Sequence, residues 1–410
     1  MRLNAIVAGV GMTTFGKHMD RGLKALGAEA VQAALADAGV EASALEAAYV
    51  GNAAAGLVTG QESIRGQVIL RSIGVGRLPV INVENACASA STAFNQACAM
   101  VSAGLYDIVL ALGVEKLYHE DKKVSFGAFT GAVDVEAMSE ILENLQQAAK
   151  SSGAKSASSG AGKNRSMFMD IYAAMARGHM AKYGTTVEQF AAVSAKNSLH
   201  GSMNARAQFR QALTVEEVLA EPMIAEPLTR PMCSPIGDGA AAAIVVSERK
   251  ARELGVSRPV RVVSSVLRSG WDHAYEEPGT TAICSSEAYE EAGIGPEDLN
   301  VVECHDATAP SEVVTCEGLS LCGDGEGGEL VEKGVTRLGG RCPINTSGGL
   351  LRKGHPVGAT GIAQIVELTE QLQGRSGQRQ VEGAKVALAH NGGGTIGPDA
   401  AAMCVTILTA

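Results

Sequence analysis

Along the chain, runs of small apolar residues alternate with amphipathic helical patterns, and glycine-rich turns separate them. The first run, AIVAGVGM from Ala5, carries no charge; it reads as a buried strand that breaks into a turn at Gly9 and Gly11. Residues 29–52, EAVQAALADAGVEASALEAAYVGN, predict an amphipathic helix, an Ala-Gly stop, a short turn and an apolar strand. The same order recurs in 285–306, SSEAYEEAGIGPEDLNVVECHD. Two strand-forming ends pair as well: SPIGDGAAAAIVVSE (234–248) with GTIGPDAAAMCVTILT (394–409). Two copies of one α/β unit are implied, residues 1–255 and 256–410, with a seam near Glu248 to Pro259.

Between these anchors each half has a small-residue segment that opens a helix. In the first, LPVINVENA leads into CASAST and then FNQACAMVSAG, with Phe94, Cys98 and Val101 at helical spacing, before the buried strand YDIVLALG. In the second, RCPINTSGGLLRKGHPVGATG precedes the helix IAQIVELTEQL and the strand KVALAHNGGG. Cys87 and His355 thus hold corresponding positions, each just before the helix of its half. If the halves pack about a pseudo-two-fold axis, the two helix starts face each other. Residues 114–222 fit neither copy and read as an inserted loop subdomain. Within it QQAAKSSGAKSASSGAGKNRS has the composition of a mobile linker, and FMDIYAAMARGHMAKYG that of a helix with Met and aromatic residues on one face.

Composition narrows the class. The 410 residues are 46% hydrophobic and 19% charged, with 49 Gly and no short repeat, which suits an α/β enzyme rich in tight turns. A net charge of −10 and 4% aromatic residues argue against nucleic acid, which needs a basic surface and stacking platforms. No stretch approaches the roughly 18–20 apolar residues of a membrane span, and the N-terminus lacks a signal-peptide pattern; a soluble, cytoplasmic protein is expected. Nine scattered cysteines do not form a disulfide framework. Cys304, Cys316 and Cys322 lie near His305 without a CxxC pair, so no metal site is expected.

The candidate chemistry lies at the turns. Cys87 precedes only Ala, Ser and Thr, so its sulfur is uncrowded and helix N–H groups aimed at it favour the thiolate; the alternative is a small buried cysteine. His355 sits between Gly354 and Pro356-Val357-Gly358, where a ligand can approach; the alternative is a hydrogen-bonded structural histidine. His305-Asp306 follows a strand end, although Asp306 and Thr308 equally suit a helix cap. HNGGG (390–394) offers bare backbone N–H groups but does not match the GxGxxG dinucleotide fingerprint.

Taken in order, CASAST, CHDATAPSE, GDGEGGELVEKG, INTSGGLLRKGHPVGATGIAQIVELTEQLQG and AKVALAHNGGG resemble the thiolase superfamily, above all the sterol-carrier-protein (lipid-transfer-protein) type. The likeness spans nearly the whole chain, the 142–166 stretch excepted. It implies a five-layered α-β-α-β-α core built from the two halves, without an appended lipid-carrier domain after Ala410. It further implies that Cys87 attacks a 3-oxoacyl-CoA, and that His355 takes the thiol proton and later activates coenzyme A. His305 with His355 would polarise the thioester oxygen of the leaving unit. The N–H groups of Cys87 and Gly392 would form a second oxyanion hole. Coenzyme A is then co-substrate, with no prosthetic group. A homodimer or tetramer, and a small OB-fold, zinc-ribbon partner subunit, are further implications.

One departure stands out. Where such enzymes carry a second, proton-moving cysteine, this chain has His390 and Ala307. His390, His305 and Cys342 are the candidates to replace it. The leading expectation is a thiolase of acyl-CoA degradation acting on a bulky or unusual acyl group. The alternatives are a retro-aldolase on a 3-hydroxyacyl-CoA and an acyl-CoA-binding subunit active only with its partner. The phosphates of coenzyme A need local basic groups, for which Lys150, Lys155, Lys163 and Arg165 are candidates if they are not simply a solvated linker.

Overall fold

In the computed structural model, which describes residues 3–151, 165–273, 277–397 and 399–410, nine strands form one mixed sheet. They are β1 (Ala5–Met12), β2 (Ala47–Gly51), β3 (Val80–Val83), β4 (Ile108–Glu115), β5 (Gly239–Ser247), β6 (Val260–Ser269), β7 (Val301–Glu303), β8 (Val386–Gly393) and β9 (Ala402–Thr409). Their spatial order is β3-β2-β4-β5-β1-β6-β9-β8-β7. The order reads the same from both ends. In the first half β3, β2 and β4 are parallel and β5 and β1 antiparallel; in the second, β7 and β8 are parallel and β9 and β6 antiparallel. A parallel bridge from Val302 to Ile344 stands where β3 stands in the first half. The halves join where β1 pairs with β6, Ala5 opposite Val262 through Val7 opposite Val260.

Apart from the edge strand β3 and from β6, which are partly exposed, the strands lack a polar face because both of their faces are covered. Ile6, Leu110 and Ile244 meet Leu26, Val31 and Leu35 of α1 (Leu23–Ala38) and Ile69 of α2 (Arg65–Arg71). Val7, Ala111, Val245 and, from the second half, Val262 and Ala387 pack on Phe94 and Cys98 of α3 (Ser89–Ser102). Val266, Leu388 and Val405 meet a third layer of helices. Its members are α7 (Thr280–Ala292), through Cys284 and Ala288, and α8 (Ala309–Gly318), through Cys316. The central layer is α3 with α9 (Thr360–Leu372), whose thirteen residues are all buried. This is the expected five-layered arrangement. Gly9 and Gly11 do not end β1; the strand runs through both. A Cβ at either would sit 2.3–2.7 Å from the backbone of α1, so glycine here permits close strand-to-helix approach.

Between β4 and β5 the chain carries α4 (Met138–Ser151), α5 (Phe168–Tyr183) and α6 (Val187–Ser202), within the expected insertion, and after it a hairpin of Met223–Ala225 with Leu228–Thr229. Helix α4 runs into the stretch expected to be linker, through Ser151. Lys150 is in its last turn, while Lys155 and Lys163 lie outside the described residues. A core of its own, with Ala173, Ala176, Phe190, Val193 and Leu228, leans on Val313 and Leu351 of the second half. On α5 the fully buried stripe is Ala173, Ala176 and His179, whereas Phe168, Met169, Tyr172 and Met175 face a cavity. No helix of the described residues is long and apolar enough to cross a membrane.

The central helices meet closely at their starts. A Cβ on Gly361 would lie 1.9 Å from Ser91 Oγ and 2.7 Å from the Ser91 backbone nitrogen. Gly361→Ala should therefore push α9 away from α3. The expected loss is about 1–3 kcal/mol, read as a lower midpoint in thermal unfolding; an unchanged midpoint would show that the helix starts are not in contact.

Candidate active site

Each half delivers one candidate group through the turn before its central helix. On the first side Ala86 adopts a left-handed φ of 47°, at about 1–2 kcal/mol for a residue with a Cβ, and a short 3-10 turn, Ala86–Ala88, carries Cys87 into α3. On the second, Pro356 leads into the turn Val357–Ala359 ahead of α9. The two turns place His355 Nε2 3.3 Å from Cys87 Sγ, across 268 residues of sequence.

Hydrogen bonds define the tautomer. The Thr360 hydroxyl donates to Pro356 O at 3.2 Å, so it accepts from His355 Nδ1 at 2.7 Å. Nδ1 then carries the proton, and the Nε2 lone pair faces the thiol. His305 stands edge-on to His355 with ring centroids 5.2 Å apart. Its Nδ1 accepts from Asn391 Nδ2 at 2.9 Å, and Asn391 Oδ1 accepts from Ser91 Oγ at 2.8 Å. The free Nε2–H of His305 is therefore a donor for an oxygen in the cavity. His390 stands behind it. Its Nδ1 accepts from the His305 backbone N–H at 3.4 Å, and its Nε2 meets Thr281 Oγ1 at 3.1 Å.

Burial keeps the site uncharged. It pushes the Cys87 thiol up to about 12, assisted by the charge of Glu115, against the pull of the N–H groups of Gly394 and of Cys87 itself. The sequence-based expectation that helix N–H groups would favour the thiolate is thus reversed, because desolvation outweighs them. Burial lowers His305 to about 4 and His390 to about 3, the latter also through the charge of His305. His355 falls well below the usual imidazole value, first by burial and then through His305 and Lys353. Among the described residues Cys87, His305 and His355 are the set whose donor atoms lie within 4.8 Å of one another. A thiol and two imidazoles are zinc-type donors, but the tautomers found here suit proton transfer between sulfur and ring.

These groups line a cavity of about 1400 Å³, much of whose wall comes from the insertion. Phe126, Phe129, Phe168, Tyr172 and Phe209 line it, as do Lys17, Arg65, Lys122, Lys123, Arg165 and Arg230. Gly392 lies on this wall too, although the N–H bonded to the sulfur is that of Gly394. Of the other candidates, Cys342 is 1% exposed within an outer core cluster, so it has no access to the cavity. Cys304 and Cys316 are buried in that cluster as well, with Cys322 at its edge. Asp306 does act as a cap, but of another helix: its carboxylate accepts from Leu350 N at 2.7 Å, at the start of Gly349–Arg352. Thr308 makes no side-chain cap; its hydroxyl pairs with Ser311. Sequence reasoning missed Thr360 and Asn391, which orient the two histidines. Strand alternation was the available signal for Asn391, since odd positions of β8 face the central helices.

A neutral thiol–imidazole pair sets a pH dependence. Below its pKa of about 12 the thiolate fraction grows with pH. Alkylation of Cys87 by iodoacetamide should therefore accelerate by about tenfold per pH unit across the alkaline range. A rate flat from acid to mildly alkaline pH would reveal a preformed thiolate–imidazolium pair instead.

Residues 5–249 match the family model described as thiolase, N-terminal domain, and residues 274–408 the one described as thiolase C-terminal domain-like. The chain is 40% identical to acetyl-CoA acetyltransferase of Methanothermobacter thermautotrophicus, covering 95% of this chain and 96% of that protein. It is 38% identical to sterol carrier protein 2 of Bos taurus (95% and 70% covered) and 36% identical to benzoylsuccinyl-CoA thiolase subunit BbsB of Thauera aromatica (95% and 94%). Among solved structures, an Ltp2-ChsH2(DUF35) aldolase superposes with a TM-score of 0.79 at 25% identity, over 99% of this chain and 98% of that one. Human mitochondrial 3-ketoacyl-CoA thiolase in complex with CoA shares the fold, with a TM-score of 0.70 at 17% identity over 100% and 99%. The chain therefore belongs to the thiolase family and is an acyltransferase of the thiolase type.

Proposed function

We propose that this acyltransferase cleaves a bulky 3-oxoacyl-CoA with coenzyme A through an acyl-thioester on Cys87. The observation that carries the reading is the 3.3 Å contact between Cys87 Sγ and the lone pair of His355 Nε2. His355 takes the thiol proton as sulfur bonds to the keto carbon. The N–H groups of Cys87 and of the 392–394 turn, Gly392 or Gly394, stabilise the oxyanion. The carbon–carbon bond then breaks, and the leaving acyl-CoA accepts a hydrogen bond from His305 on its thioester oxygen. Coenzyme A, deprotonated by His355, removes the acyl group. The nucleophile belongs to the proposed half 1–255, with its insertion 114–222, and the base to 256–410.

A large acyl group is supported by the cavity, about 1400 Å³ against the ~300–1,000 Å³ common for small-molecule sites, and by its phenylalanine lining. The basic side chains of the same wall, Arg165 among them, suit the phosphates of coenzyme A. A second reading, retro-aldol cleavage of a 3-hydroxyacyl-CoA, is favoured by the likeness to the Ltp2-ChsH2(DUF35) aldolase, but it leaves the thiol–imidazole contact without a task. That aldolase and the BbsB subunit are named as parts of assemblies, which supports a partner subunit here. The unpaired outer edge of β3, with Ile81 exposed, suits a dimer.

Mass spectrometry after incubation with a panel of 3-oxoacyl-CoAs tests the reading. An acyl adduct is expected on the peptide holding Cys87 and should vanish in Cys87→Ser. Turnover should fall by about 10²–10⁴-fold in His355→Ala. Cleavage of 3-hydroxyacyl-CoAs without any adduct would establish the aldolase instead.

A further inference from the structure

Thiolytic cleavage leaves a carbanion, as an enolate, on the departing acyl-CoA, and some group must protonate that carbon. The histidines are committed elsewhere. His355 holds the thiol proton, His305 has its Nδ1 occupied by Asn391 and its Nε2–H facing the oxygen position, and His390 is bonded at both nitrogens. Tyr172, on α5, lines the same cavity as Cys87, His305 and His355. Its ring lies 6.4 Å from that of Phe168, tilted by 39°, and it packs against the core of the insertion, so the side chain is held in place. Its hydroxyl has no hydrogen-bond partner among the described residues. The hydroxyl is therefore open to a molecule bound in the cavity.

We propose that Tyr172 is the acid that protonates the departing acyl-CoA, and the base that deprotonates it in the reverse direction. The proposal rests on the thiolytic reading above. As Cys87 Sγ bonds to C3, the thiol proton passes to His355 Nε2. The C2–C3 bond breaks and its electron pair stays on C2 and the thioester oxygen. The Tyr172 O–H proton moves to C2, which leaves a phenolate. The proton on His355 then returns to the phenolate through water. Overall the thiol proton ends on C2, and nothing is oxidised or reduced. Burial, then the nearby sulfur of Cys87, raises the phenol above its usual range. It therefore remains loaded at neutral pH, and it is still far more acidic than the α-carbon of a thioester. Cys233 is the other cavity-lining thiol. It sits beside Ala307, through the Ser234 N to Ala307 O bond, so it is the rival acid that the test must separate from Tyr172.

The test uses two exchange reactions of the intact protein with acetyl-CoA. Transfer of the acetyl group to isotopically labelled coenzyme A needs Cys87, His355 and the oxyanion N–H groups but no acid–base at carbon; uptake of deuterium from D2O into the acetyl methyl needs the carbon acid–base. Tyr172→Phe should lower the ratio of deuterium uptake to acetyl transfer by about 10²–10⁴-fold, while Cys233→Ala leaves that ratio within about twofold. Retained acetyl transfer also reports that the variant is folded. Undiminished deuterium uptake in Tyr172→Phe, or its loss in Cys233→Ala instead, overturns the proposal. Absence of acetyl transfer in the unaltered protein overturns the thiolytic reading itself.

Discussion

The site depends on one buried carboxylate. Glu115, at the end of β4, accepts from the backbone N–H groups of Ala53, Ala54, Lys116 and Gly358 and from the Asn52 side chain, at 2.9–3.2 Å. Those donors come from the loop after β2, from the residue that follows β4 and from the turn that follows His355. Burial raises the Glu115 pKa, and the surrounding N–H groups oppose that rise. Gly358 allows the approach, since a Cβ there would lie 2.8 Å from Asn52 Cα and 2.9 Å from the carboxylate. The carboxylate thus ties the turn of the second half to the strand ends of the first. The position of the imidazole opposite the thiol follows from that link.

A second tier of buried charge supports the His355 segment from the other side. Lys353 pairs with Glu303 at 3.1 Å, both almost fully buried, and Glu303 also binds the Ser347 backbone and hydroxyl. Lys196 of α6 pairs with Glu312 at 2.6 Å. Removing one member would leave an uncompensated charge, so these pairs act as geometric constraints on the loop more than as sources of stability. Around the reactive atoms themselves the protein does the opposite and leaves no net charge. In the proposed reaction the thiol becomes a strong nucleophile only when His355 removes its proton as the new bond forms.

The repeat was legible because each copy has its own hydrophobic periodicity, and the meeting of Cys87 with His355 follows from their shared position before the central helices. What escaped was set by tertiary contact. Gly9 and Gly11 look like a turn in isolation but serve the packing of α1. Cys342 resembles any other thiol until its burial is known. The helix N-terminus at Cys87 suggested a thiolate, since the degree of desolvation has no sequence signature. Likewise the Met and aromatic pattern of α5 gave the helix correctly but not its facing. Ala173 and Ala176 take the core side, and the larger side chains turn to the cavity.

The wall of the cavity and its reactive pair arise from separate parts of the chain. In the proposed mechanism bond making belongs to two short turns locked to the central helices, whereas much of the surface that an acyl chain would touch is carried by the insertion, from Tyr118 to Met175. Natural variation can therefore reshape what is admitted by drifting in one segment while the thiol and imidazole stay in register. Diversification of such a protein would be expected to concentrate there, with little trace in the nine-stranded scaffold.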